Sequence, residues 1–539
     1  MRKFLFVLCF PLALQAQQPF ADTARAIDKI LNPWSGKNMP GVSIAISRNG
    51  QLVYANAVGM ADLEHAVHND TATIFEAGSV SKQFTAAAIL LLEQQGKLSQ
   101  QDDIRKFVPE MPDYGHPVRI YHLIHHLSGL RDWGAVAEVE GWPRSTRAHT
   151  NAHALQIMSR QKTLNNVPGA EYIYSNSNYN LMAIIVERVS GTSFQEFCRK
   201  HLFEPAGMHH TLWRHDYRQV VPRRAMAYQP TMTGFKTLMP FEDAHGNGGL
   251  LTTPADLVNW TAYIHAGKLG GQQLLQKQLE RGRYNNGREM AYAAGLRIGT
   301  FNGQDLVTHS GATAGYRANL DYYPAQGLSI ALLSNSSGTS PVDLAQKIAA
   351  LFFPAPPTEN SIIHSAKSDP VKLKPLAGWY RNTRSDEGIL IAQKDSVLVL
   401  PSGKALEYLG GGRFGMQGYH LQFRNHQGRV DYFVVDQEET GDTVLFEAAV
   451  APVVNKEYLT GFTGTFTSEE ANATIRIRHG ANGIQWEQLP TTLDNLRPSY
   501  RDGFEVPGGH IRFIRNSKKQ VTGFHLSVGR ARRILFRKL

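Results

Sequence analysis

The chain reads as an α/β or α+β domain followed by two small all-β, barrel-like domains. Three features carry that expectation. Strand-like runs stand at both ends of the first 355 residues with helical stretches between them, so one sheet has to be assembled from early and late segments. A proline- and serine-rich stretch, Pro354 to Pro375, then interrupts the periodicity. Beyond it the pattern changes to short alternating strands with glycine turns, and that pattern occurs twice.

In chain order, Arg2 and Lys3 precede an apolar run from Phe4 to Leu14, and Ala16 offers a small residue before a polar stretch. This is the form of a cleaved secretory leader over residues 1–16, too short to span a bilayer. Cys9 lies inside the apolar run rather than just after it, which argues against a lipoprotein. The mature protein is therefore expected in the periplasm or outside the cell, with no integral membrane segment.

Ile27 to Leu31 has the look of a helix end. Pro40 then opens a hairpin of strands Val42 to Ser47 and Leu52 to Val58, turning at Asn49-Gly50, where both residues tolerate positive φ. Ser79 to Gln95 is apolar almost all round, as a helix buried at a domain centre is. Asn180 to Val189 and Pro254 to Ala266 are further helical stretches. Strand character returns at Leu306 to Thr308, Ala318 to Tyr323 and Ser329 to Ser334, before a helix over Pro341 to Phe352. These boundaries give a first domain over residues 17–355, a linker over 356–370, and all-β domains over 371–455 and 456–539. The repeat is visible where Leu376-Ala377-Gly378-Trp379-Tyr380 echoes Phe462-Thr463-Gly464-Thr465-Phe466.

Composition excludes several classes. At 42% apolar and 19% charged residues the chain is neither disordered nor polytopic in a membrane. Its two cysteines are Cys9 and Cys198, so leader removal leaves one thiol and no intrachain disulfide; Cys198, in a helical run, reads as a buried small hydrophobe. The net charge is +10, with Arg530, Arg532, Arg533, Arg537 and Lys538 crowding the end. Acidic wall polymers or anionic surfaces would suit such a charge, but a solvated cationic strand is the plainer reading, and no nucleic-acid partner is expected without an aromatic-interleaved basic motif. His122, His125 and His126 share an expected helix and His209-His210 form a pair, but no carboxylate or cysteine completes a metal set, so neither metal nor cofactor is expected.

Three short motifs carry chemistry. In Ser79-Val80-Ser81-Lys82 the i,i+3 spacing puts a hydroxyl and an amine on one helix face, and a serine needs such a partner to take its proton. Tyr174-Ser175-Asn176 can aim a phenol and a carboxamide from one loop. In His309-Ser310-Gly311, at the end of a strand, Gly311 would allow a substrate backbone to approach. None is specific alone. Ser159-Arg160-Gln161-Lys162 repeats the first pattern, Tyr54-Ala55-Asn56 and Tyr284-Asn285-Asn286 the second, and His265-Ala266-Gly267 and His426-Gln427-Gly428 the third.

Together, in this order and with Pro40-Gly41-Val42, Phe75-Glu76-Ala77-Gly78, His125-His126-Leu127-Ser128-Gly129-Leu130, Pro168-Gly169 and Gly248-Gly249-Leu250, they make residues 27–352 resemble the class C β-lactamase, DD-peptidase and D-aminopeptidase group of penicillin-recognising serine hydrolases. The resemblance implies a β-lactamase/transpeptidase-like catalytic domain with an antiparallel sheet and a helical subdomain. It implies Ser79 as nucleophile, Lys82 and Tyr174 as the proton-transfer pair, Asn176 as a contact to a substrate amide, and His309, Ser310 and Gly311 along the bound substrate. The backbone N–H groups of Ser79 and Ala312 would form the oxyanion hole.

Either Tyr174 or Lys82 could be the base. A Tyr174 phenolate needs a pKa lowered by about three units, which charges on Lys82 and His309 could supply. β-Lactamases of this group carry lysine where His309 stands. The histidine, with the two β domains, points to a peptidase or amidase acting on D-amino-acid peptides, amides or peptidoglycan-derived substrates. A β-lactamase or esterase, and a penicillin-binding sensor that stays acylated, are the alternatives. By analogy with some D-aminopeptidases, the barrels either restrict the mouth of the site or simply stabilise the protein.

Overall fold

The computed structural model describes residues 17–144, 146–355, 373–416, 419–426, 429–437, 443–480, 483–488 and 492–539. The expected leader and the expected linker over 356–370 lie outside the described residues.

Early and late strands do form one sheet, as the sequence pattern requires. Its six strands run in the order Gln51–Val58, Val42–Arg48, Leu328–Ser334, Tyr316–Tyr323, Gln304–Thr313 and Arg297–Phe301, and all the pairings are antiparallel. Val42, Ile44 and Ile46 alternate with Ser43, Ala45 and Ser47, so both faces of this central strand are covered. Helices Gln17–Leu31 and Pro341–Phe352 close one face around Ile27, Ile44, Ile330 and Ile348. Helix Pro254–His265 lies against Val42–Arg48 and Leu328–Ser334 on the other.

The buried helix at the domain centre is Lys82–Gln94, preceded by a 3-10 turn over Gly78–Ser81. Its side chains from Lys82 to Leu90 are all buried. Helix Asn176–Ser190 packs against it and is likewise buried from Asn176 to Val186, beginning four residues before the expected Asn180. The polar start is accommodated because each group has a partner. Ser177 Oγ donates to the Arg131 carbonyl at 2.7 Å, and Asn180 Nδ2 donates to the His245 carbonyl at 2.9 Å.

Among the described residues, eight strands from Gly378–Asn382 to Thr443–Ala449 close a barrel. Nine more, from Gly464–Ser468 to Ala531–Lys538, form a second sheet that curls nearly shut; its edge strands Thr492–Asn495 and Arg497–Tyr500 are consecutive in sequence and unpaired with each other. The barrel has its own core of Tyr380, Ile391, Leu398, Phe414 and Phe433. The core of the terminal sheet, with Phe466, Phe524, Ile534 and Phe536, instead runs into that of the first domain as one apolar cluster.

Polar contacts reinforce that junction. The Arg131 side chain is fully buried and donates to Glu470 Oε1 at 2.8 Å and to the Arg532 carbonyl at 2.9 Å. Arg532 donates to Glu171 at 2.7 Å, and Arg533 reaches buried Asp386 of the barrel at 3.1 Å. The terminal cations are thus only in part the solvated strand expected from sequence. Arg532 and Arg533 bond carboxylates of the two neighbouring domains, which linear charge counting cannot reveal, whereas Arg537 and Lys538 are exposed as expected. No helix among the described residues is long and apolar enough to cross a membrane.

Candidate active site

Ser79 sits in the 3-10 turn that enters the buried helix, and Lys82 is the first residue of that helix. The turn places Lys82 Nζ 3.0 Å from Ser79 Oγ. Nζ also lies 3.1 Å from Asn176 Oδ1 and 2.6 Å from the Asn247 carbonyl oxygen. Amide and carbonyl oxygens can only accept, so the amine donates to both; a neutral amine then keeps its lone pair for the hydroxyl of Ser79. Burial pushes the Lys82 pKa well below 10.5, and the Arg530 and Arg144 charges push it further.

Tyr174 comes from the loop before helix Asn176–Ser190, and Lys82 Nζ lies 4.8 Å from the centre of its ring. Burial raises the phenol to about 12, against which its hydrogen bond to Ser79 and the Arg530 charge act in the other direction. His309 is pushed down to about 3, by burial and by Lys82. Its Nδ1 donates to the Ser310 carbonyl at 2.6 Å, leaving Nε2 to accept from Tyr292 Oη at 3.2 Å. The expectation that Lys82 and His309 charges lower the phenol therefore fails: buried imidazole and amine are both favoured neutral.

His126 supports the phenol from behind. Its ring centre lies 4.2 Å from that of Tyr174, and its Nδ1 accepts from the backbone N–H of Ser175 at 3.2 Å. The three histidines do not share a helix, because the helix ends at Ile124 and His126 has a left-handed φ of 57°. All three are buried.

Strand Gln304–Thr313 pairs with Arg297–Phe301 only up to Thr308, so the His309–Thr313 segment keeps one edge open along the cleft. Gly311 serves a different purpose from the one expected. A Cβ there would stand 2.0 Å from the Ala77 carbonyl oxygen, so the missing side chain admits the protein's own Ala77–Ser79 turn rather than a substrate. Gly78, at φ +51°, is the reciprocal case, since its Cβ would meet Ala312 N at 2.6 Å. These two glycines let the backbone of the Ala77–Ser79 turn and that of the Gly311–Ala312 strand segment pass in close contact.

Ser79, Tyr174, Asn176, His309, Ser310, Gly311 and Ala312 accordingly line one open cleft of about 680 Å³, with Lys82 beneath it. The competing motif copies lie elsewhere: Tyr54 donates to Asp28 at 2.5 Å, Lys162 is exposed beside Glu469, and Tyr284 packs with Leu127. His265 stacks on Tyr322, and the His426-Gln427-Gly428 copy falls partly outside the described residues.

A family profile described as beta-lactamase matches residues 21–352, well over half of the chain. The chain belongs to the beta-lactamase family. A D-aminopeptidase of Gluconobacter oxydans is 27% identical over 313 residues, covering 58% of each chain. A D-aminopeptidase of Cereibacter sphaeroides is 24% identical over 533 residues, covering 95% of this chain and 97% of that one. Among solved structures, the octameric penicillin-binding protein homologue from Pyrococcus abyssi aligns over 88% of this chain and all of its own, at 23% identity and a TM-score of 0.53. That likeness is one of fold. The beta-lactamase-family match ends near Phe352, so it leaves the two β domains to the longer relative.

Sequence reasoning missed several groups at this site. The Asn247 carbonyl is a main-chain atom and has no residue signature. Arg144, Arg297 and Arg317 reach the cleft from three separated segments. Arg530 arrives from the terminal sheet, at the tip of the hairpin joining strands Val521–Val528 and Ala531–Lys538.

Proposed function

We propose that the protein is an exported serine hydrolase that forms an acyl-enzyme on Ser79 Oγ and acts on peptides or amides containing D-amino acids. The observation that carries this reading is the 3.0 Å approach of Ser79 Oγ to a buried lysine whose two other partners are obligate acceptors. Lys82 is the base in this account. Its lone pair takes the hydroxyl proton as Oγ adds to the substrate carbonyl. The N–H groups of Ser79 and Ala312 hold the oxyanion, where losing one such donor typically costs about 3 to 4 kcal/mol. Tyr174, protonated at neutral pH, passes its proton to the leaving nitrogen and regains one from Lys82. Water then releases the acyl group by the reverse relay.

The D-residue preference rests on the D-aminopeptidase relatives, one of which is matched along 95% of this chain. Intact-mass labelling with a fluorophosphonate and with a penicillin tests the nucleophile. One adduct is expected in the native protein and none in Ser79→Ala; an adduct that persists in Ser79→Ala moves the nucleophile elsewhere. Turnover of N-acetyl dipeptides ending in a D- against an L-residue, beside the D-amino-acid amides, tests the substrate, and a penicillin adduct with turnover of none of them would favour the sensor reading.

A further inference from the structure

Among the described residues, Arg144, Arg297, Arg317 and Arg530 line the cleft, and no Asp or Glu does. A site built for a substrate's ammonium group would show the opposite charge pattern.

The four cations are not equivalent. Arg144 is engaged by Glu242, with Nε 2.6 Å from Oε1. Arg317 turns Nη1 back to the Ala314 and Tyr316 carbonyls at 2.9 and 2.7 Å. Arg530 differs in origin and in freedom. Its guanidinium stands 4.8 Å from the centre of the Tyr174 ring, and its carboxylate neighbour, Asp132 Oδ2, is 3.8 Å away and already accepts the Asn176 N–H at 2.7 Å. The Arg530 side chain is 48% exposed and lines the cleft.

The backbone beneath this side chain is fixed. The Arg530 carbonyl accepts from Asn165 Nδ2 at 2.9 Å, and Arg532 N–H donates to Asn165 Oδ1 at 2.7 Å. Those two bonds pin the hairpin tip to the first domain from both sides. The guanidinium is therefore presented from a held main chain, over the Tyr174 ring and in the same cleft as Ser79.

We infer that Arg530, contributed by the terminal β domain, is a specificity-determining residue that anchors a carboxylate on the substrate, so the cleft selects substrates with a free carboxylate over their neutral or amine-bearing counterparts. This deepens the proposed function and rests on it. A guanidinium offers a planar fork that suits a carboxylate, and a charge-assisted pair of this kind is worth roughly tenfold or more in binding. The anchored carboxylate is either the α-carboxylate of a terminal D-residue or that of an acidic side chain; the chemistry is the same for both.

The test is protection of Ser79 from a neutral fluorophosphonate, in which Ser79 Oγ displaces fluoride, measured on the full-length protein. The protectants are N-acetyl-D-alanine, its carboxamide, and the α-amide of N-acetyl-D-glutamate, which carries only a side-chain carboxylate. At least one of the two carboxylates is expected to protect at about a tenth or less of the concentration the carboxamide needs. That ratio is expected to fall to near one in Arg530→Ala, to be partly restored in Arg530→Lys, and to invert in Arg530→Glu. Which carboxylate wins identifies its source. Carboxylates that protect no better than the carboxamide, including the case where nothing protects, overturn the inference, as does a ratio unchanged in Arg530→Ala. Failure of the native protein to label at Ser79 at all is a distinct result and overturns the underlying serine-hydrolase reading.

Discussion

The two β domains repeat one sequence pattern but are joined to the rest of the protein in different ways. The barrel over Gly378–Ala449 keeps its own apolar core and meets its neighbours through polar contacts such as Arg384 with Glu171 and Asp386 with Arg533. The terminal sheet shares its core with the first domain, buries an ion pair at the junction and carries Arg530 into the cleft. A repeat in sequence therefore fixes an architecture and leaves the role to the surface residues each copy presents.

The sharpest way to break this contrast is the buried pair. Arg131→Met leaves Glu470, itself 6% exposed, without its buried cation. A loss of about 3 to 5 kcal/mol is expected in urea unfolding. A loss below about 1 kcal/mol would mean that the junction does not depend on it.

Core truncation separates the two domains next. Ile534→Ala and Ile391→Ala each delete a fully buried side chain and are each expected to cost about 2 to 5 kcal/mol. Only Ile534→Ala should also slow fluorophosphonate labelling of Ser79, because its core is continuous with that of the first domain. Equal slowing by Ile391→Ala would erase the distinction.

Acid unfolding sharpens it further. Burial lowers His125 and His245 to about 4 and His309 to about 3, all in the first domain. Below pH 6.5 the unfolded chain binds protons at these sites that the folded protein refuses, so stability falls as pH drops toward those values. The first domain should lose its urea midpoint steeply between about pH 6.5 and 4; a midpoint flat across that window contradicts the burial of neutral imidazoles. The smallest effect belongs to the exposed pair Arg199 and Glu196, 2.6 Å apart, where Arg199→Ala should leave the urea midpoint almost unchanged.

Much of the first domain was legible because its signals are local or periodic. The hairpin at Asn49-Gly50 and the strands ending at Tyr323 and Ser334 appear within a residue or two of where the pattern puts them; the helix after Ser79 begins as a 3-10 turn, and the strand expected to end at Thr308 runs on to Thr313. The helix at Asn176 was read too short because its first turn is polar, and only the fold supplies the partners that let Ser177 and Asn180 be buried. At the site, Ser79, Lys82, Tyr174 and His309 carry side-chain chemistry that motifs record. The reason for Gly311 was misread because the clash it avoids involves Ala77, more than two hundred residues away in sequence. Arg530 was legible as a charge and not as a cleft residue, since nothing near it in sequence shows that Asn165 holds its backbone.

The choice of base is tested most directly by the pH dependence of the second-order rate of Ser79 acylation, in the native protein and in Tyr174→Phe. With neutral Lys82 taking the proton, the rate rises along one acid limb set by an ionisation well below 10.5 and then levels, and Tyr174→Phe lowers the plateau by about a hundredfold or more while keeping the limb. A native rate that climbs without levelling to about pH 12, with the limb gone in Tyr174→Phe, would make the phenolate the base and contradict the account.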